Sequence, residues 1–224
     1  MEIEYSVKYS NRKTLSIIIE RDRSIVVRAP LNTSKEVIEK EINKRKFLLF
    51  QKVNHPQKYV IPKPRKEFVS GESLLYLGKH HKMEVVQEEI DGIQFDNKFY
   101  ISKANHDKAE RLFKKWYFKK AEEKIILKVK FHAKNLGVKY KSIKIRDLKY
   151  RWGSCTSKDN INFNWRLIKA PIFVIDYIIV HELTHLIEPN HTNEFWNIVS
   201  VQLSHYNKAK EWLKENGHLL ETEF

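Results

Sequence analysis

The 224-residue chain is poor in several residue types that mark standard architectures. A single cysteine excludes an internal disulfide framework and any cysteine-rich zinc finger. There are only six glycines, at positions 71, 78, 92, 137, 153 and 217, and no pair fits GxxxxGKS/T or GxGxxG. The usual glycine-rich phosphate loops are therefore excluded. No uninterrupted apolar run approaches the ~20 residues needed to span a bilayer, so no membrane partner is expected. The first residues alternate apolar and polar side chains and lack the apolar block of a secretion signal; a reducing cytoplasm is the expected compartment. What is present is 42% hydrophobic and 12% aromatic residues, enough for a sizeable core and too apolar for a disordered chain.

Charge is also uneven. Lys and Arg number 42 against 28 Asp and Glu, a net +14. The densest stretch, between Lys103 and Lys144, holds 14 basic and 4 acidic side chains. Such a surface attracts polyanions, so nonspecific nucleic-acid binding is one expectation for it. A solvated lysine-rich helix that aids solubility is the plainer one.

Periodicity predicts an α+β fold. Ile3, Tyr5, Val7 and Tyr9 alternate, as do Leu15, Ile17 and Ile19, which predicts strands over 3–29. Thr33 and Glu36 match a capping box for a helix reaching about residue 52, and 55–64 reads as an extended connector. Short strands are expected around Phe68, at 74–77, 83–86 and 99–101. A helix over 106–135 carries the apolar stripe Ala109, Leu112, Phe113, Trp116, Tyr117, Ala121, Ile125 and Val129, with Gly137 as its stop. Strands follow at 142–148 and 160–165, and then a helix over 172–187 that is apolar on nearly every face and so expected to be buried. Last helices are expected at 192–203 and 208–215. The expected division is a β-rich domain at 1–103 with one helix, a basic amphipathic helix linker at 104–135, and a domain at 136–224 that carries the chemistry.

Inside that apolar helix lies His181-Glu182-Leu183-Thr184-His185. Histidines at i and i+4 share one helical face and can converge on one ion at about 2.0–2.1 Å. Polar side chains in such a setting need a partner, since an unpaired buried polar group costs ~2–7 kcal/mol. Pro189 stops the helix, so the chain can turn and return His191 to the same ion. Glu188 or Glu194 is the alternative third ligand. Three imidazoles leave a position open for water, the catalytic pattern of Zn2+, with one ion expected per chain. A fourth ligand from Cys155 or Glu188 would close the site. Glu182, beside His181, is placed to accept a proton as general base.

His181–Leu186, followed by Asn190-His191 and Phe195-Trp196, resembles the YgjP-like zinc metallopeptidase family, related to the WLM and SprT groups. Arg151-Trp152-Gly153-Ser154-Cys155, residues 160–167 and Asp176-Tyr177 belong to the same pattern. The resemblance implies a minimal zincin-like domain around the HExxH helix, with His181, His185 and His191 as ligands and Glu182 as base. In zincins an edge strand near the metal holds extended substrate, which makes Arg151 and Trp152 candidate substrate-binding residues. Packing of Trp152 in the core is the plainer reading, as it is for Phe195 and Trp196. His205 or Tyr206 could stabilise a transition state. The expected activity is a zinc-dependent peptidase acting as a monomer on polypeptides. The alternatives are a UTP-type nucleotide pyrophosphohydrolase and a DNA-associated protease.

Overall fold

The computed structural model describes residues 3–19, 24–54, 66–148 and 151–221. The connector expected over 55–64 lies outside them. The chain divides into two compact units, Met1–Val60 and Ile61–Phe224, and the architecture is α+β as expected.

In the first unit, strands β1 (Tyr5–Ser10), β2 (Ser16–Ile19) and β3 (Ile25–Pro30) form a sheet in the order β1-β3-β2. β1 runs parallel to β3 and β2 antiparallel to it. Ile25, Val27 and Ala29 of β3 are buried together with Ile38, Ile42 and Leu49. The single helix expected here is two, α1 (Lys35–Lys44) and α2 (Lys46–Asn54). Arg45 leaves helical geometry at φ −110° and ψ 10°, and its N–H donates to Ile42 three residues back instead of four. The cap is Ser34, one residue later than Thr33.

In the second unit, β4 (Ser73–Tyr76), β5 (Lys79–Val86), β6 (Ile93–Asp96) and β7 (Lys98–Ser102) form a sheet in the order β4-β5-β7-β6. The strand expected around Phe68 is absent: Phe68 adopts φ 59°, and its N–H donates to the Glu72 carboxylate at 2.8 Å. Helix α3 (Ala109–Leu136) follows and ends on Gly137 at φ 68°, where Val138 N–H reaches back to Ala133. A second sheet, in the order β8-β10-β9, comprises β8 (Ser142–Arg146), β9 (Gly153–Cys155) and β10 (Asn160–Asn164). Helices α4 (Ile172–Thr184), α5 (Asn193–Gln202) and α6 (Tyr206–Glu221) complete the unit.

One core runs from Phe68 to Leu220 through both sheets and these helices. The boundaries expected near 103 and 135 are therefore not breaks in the packing. The reason is the length of α3. Its 28 residues span ~42 Å, and its buried stripe starts at Ala109 and runs through Phe113 and Val129 to Ala133. Phe113 and Trp116 pack on Phe99 of β7 at ring-centroid distances of 5.5 and 5.0 Å. Further along, α3 packs on α4. It is the central element of the unit rather than a linker.

α4 is apolar all round because α3, α5, α6 and β9 pack against it. Its polar tie to α3 is Asp176, which accepts from Lys128 at 2.9 Å and contacts His132 Nε2 at 2.9 Å. Burial alone would raise the Asp176 carboxyl, but His132 and Lys128 hold it below the ordinary carboxylate range. A depressed carboxyl stabilises the fold fully above its unfolded pKa, near ~4, and that stability is lost as pH falls through the folded value. Asp176→Asn is therefore expected to cost about 1–3 kcal/mol at pH 7, with the difference from wild type shrinking below pH 4. Denaturant unfolding at pH 7 and pH 3 checks this; an equal difference at both would refute it.

Candidate active site

α4 ends at Thr184, three residues before the expected residue 187. The Thr184 hydroxyl donates back to the Val180 carbonyl at 2.7 Å. Leu186 and Ile187 N–H then bond three residues back, so the last turn tightens. After Pro189 the chain reverses. Asn190 N–H donates to the Glu188 carboxylate at 3.1 Å, and Thr192 caps α5 by accepting from Phe195 N–H at 3.3 Å. These two local bonds return His191 to the end of α4.

The three histidines meet there. His181 Nε2 and His191 Nε2 lie 3.0 Å apart. One ring nitrogen from each of His181, His185 and His191 lies within 4.8 Å of the other two. Nitrogens bound at 2.0–2.1 Å to one tetrahedral ion are about 3.3–3.4 Å apart, so the group fits a single cation. His185 Nδ1 lies 3.3 Å from the Glu188 carbonyl oxygen, an arrangement that leaves Nε2 for the centre. Phe195, fully buried, floors the group, with its ring centroid 5.0 Å from His181 and 4.7 Å from each of the other two.

The electrostatics agree with that fit. Burial, with His185, His191 and Lys210 nearby, lowers the His181 imidazole to about 3, so its ring is neutral as a metal ligand must be. Its Nδ1 is buried with no hydrogen-bond partner among the described residues. Two Nε2 atoms facing each other at 3.0 Å need a proton or a shared cation between their lone pairs.

Glu182 is 7% exposed and points toward β9. Burial pushes its carboxyl up to about 7, opposed by the Cys155 backbone N–H, which donates to it, and by the Arg151 charge. Gly153 makes this possible. A Cβ there would sit 2.6 Å from Glu182 Cγ and 2.7 Å from Oε1, closer than real contacts permit.

Several candidates fall elsewhere. Arg151 is exposed two residues before β9, near enough for its charge to act on Glu182. Trp152 is half-buried against the core and would lie 3.7 Å from a Cβ on Gly217 of α6. Cys155, Glu188 and Glu194 do not join the histidine group among the described residues. Burial, with Glu182 and Asp159, raises the Cys155 thiol. Trp196 stacks on His191 at 5.8 Å and on Tyr206 at 5.6 Å, and Tyr206 stacks on Tyr177 at 6.3 Å. Lys210 Nζ lies 4.5 Å above Trp196. Tyr177 belongs to the pattern that carries the family resemblance, whereas nothing in the sequence marks Lys210. Tyr177, one turn before His181, had a readable spacing; Lys210 reaches the site only because α6 folds back on α4.

Comparison with known proteins adds the following. A family model described as YgjP-like, metallopeptidase domain, matches residues 13–216. Curated proteins include no match. Among solved structures, the chain is similar to the metallopeptidase zymogen of Pyrococcus abyssi abylysin, at 21% identity and a TM-score of 0.39, covering 45% of this chain and 98% of that one. It is also similar to the metallopeptidase zymogen of Methanocaldococcus jannaschii jannalysin, at 23% identity and a TM-score of 0.38, covering 42% and 96%.

Proposed function

The chain belongs to the YgjP-like metallopeptidase family and is a metal-dependent hydrolase; from that premise we propose that it is a zinc peptidase with a zincin-like site. His181, His185 and His191 hold one Zn2+, and Glu182 is the general base. The observation that carries this reading is the convergence of three ring nitrogens within 4.8 Å at the C-terminal end of α4. When bound, zinc would polarise the scissile carbonyl and acidify a water.

The chain's own residues do the rest. Glu182 takes the proton of the attacking water on a carboxylate oxygen and later delivers it to the leaving amine. Burial, which raises the Glu182 carboxyl, favours its taking up that proton. Cys155 N–H orients that carboxylate, and Gly153 leaves it room. β9 pairs only with β10 among the described residues, so its outer edge is open to an extended substrate main chain. Arg151 lies at the end of that edge, placed to meet a substrate carboxylate.

The deciding experiment sets zinc-loaded protein against denatured polypeptide and against nucleoside triphosphates. Cleavage of polypeptide, abolished by chelation and restored by Zn2+, is the expected result. Release of pyrophosphate from triphosphates without proteolysis would replace the peptidase reading with nucleotide hydrolysis.

A further inference from the structure

The histidine group is not the only concavity in the second unit. A cleft of about 930 Å³ lies between α3 and the β6 side of the four-stranded sheet. Ile93, Gln94 and Phe95 of β6 form one wall. β6 is the outermost strand and pairs only with β7 among the described residues. Such a strand offers backbone donors and acceptors to an incoming chain.

The opposite wall is α3, and it is basic. Lys119, Lys120, Lys124 and Lys128 line it beside Glu123 alone. Lys120 is held by Glu123 and Lys128 by Asp176. Lys119 and Lys124 are exposed, and Glu123 is the one acid of the cleft lining whose carboxyl their charges lower. Among the lining residues Leu127 is apolar and 69% exposed. Large exposed apolar side chains rimmed by charge mark interaction surfaces.

We infer that this cleft docks an extended polypeptide segment with an acidic side chain at every second position. Main-chain pairing to β6 supplies register, and Lys119 and Lys124 of α3 meet the acidic side chains. The period of two in an added strand turns every second side chain toward α3, which is why the acidic ones must recur at that spacing. A single-stranded nucleic acid fits less well. The aromatic floor, Tyr76 at 5% and Trp116 at 9% exposure, is covered, and the half-buried Phe95 packs on Tyr76, Phe99 and Trp116, which leaves little ring face for bases to stack on. This inference does not depend on the zinc peptidase reading, since no cleft residue belongs to the histidine group.

The test uses the full chain and fluorescence anisotropy with three labelled probes. These are an eight-residue peptide alternating Glu and Val, its Lys/Val counterpart, and an eight-nucleotide thymidine strand. The Glu/Val peptide is expected to bind, and the Lys/Val peptide not. Binding should weaken about tenfold in Lys119→Glu/Lys124→Glu and severalfold in Leu127→Asp, all exposed positions whose replacement leaves the melting temperature near wild type. Absent binding of the Glu/Val peptide, equal binding by the variants, or tighter binding of the thymidine strand than of the peptide would each overturn the inference.

Discussion

Replacing Glu182 by Gln is expected to lower kcat on polypeptide about 10²–10⁴-fold, the usual worth of a positioned general base. The amide keeps the shape of the side chain, so it still fits the slot beside Gly153, but it cannot take the proton. Metal content and melting temperature should stay near wild type, because the histidine group does not include Glu182. That separation is the informative part: loss of rate with the metal retained assigns the proton transfer to one residue. Gly153→Ala reaches the same carboxylate by another route. Its Cβ would lie 2.6 Å from Glu182 Cγ, so the flexible carboxylate must move away while the histidines stay in place. The two variants should share one phenotype. Full activity in Gly153→Ala would mean that the position of the Glu182 carboxylate beside β9 is not the reactive one.

His181→Ala should act on the other half of the site. Structural zinc in four-ligand sites is held by about 10–16 kcal/mol, or roughly 3–4 kcal/mol per ligand, so loss of one imidazole should weaken zinc binding about 10²–10³-fold. Competition with a chromophoric chelator measures this directly, and activity at limiting zinc should fall in step. His205→Ala, Cys155→Ser and Glu188→Gln are the controls, since none of these residues joins the histidine group among the described residues. Zinc affinity unchanged in His181→Ala, or lost equally in Cys155→Ser, would reassign the ligand set.

Much of this was legible because it is local. The i, i+4 histidines, the apolar helix that bears them, Pro189 and the Thr192 cap are all properties of contiguous residues. So is the stripe on α3, whose buried residues are nearly those the 3.6-residue period selects. Two departures from the periodic pattern are local too. Arg45 breaks a helix that periodicity would continue, and Phe68 takes a left-handed conformation because a glutamate four residues on captures its N–H. Both depend on one hydrogen bond each, and no pattern of hydrophobicity encodes such a bond.

Other features required the folded chain. The length of α3 could be counted, but its role in uniting two sheets into one core could not, because a stripe does not name what covers it. Gly153 stands in the pattern that carries the family resemblance, but the reason for a glycine there shows only once β9 lies against α4 and its missing side chain becomes the space that Glu182 occupies. Lys119 and Lys124 read as two lysines among many until β6 forms the facing wall of a cleft.

The order of residues by itself determined the α+β class, the buried helix and the three imidazoles that can share a cation, because helical spacing and burial follow from neighbours along the chain. Only the tertiary structure decided which backbone faces Glu182, which helix returns Lys210 to the site and which strand edge stands open. Those contacts join residues tens of positions apart, and their distances are set by packing.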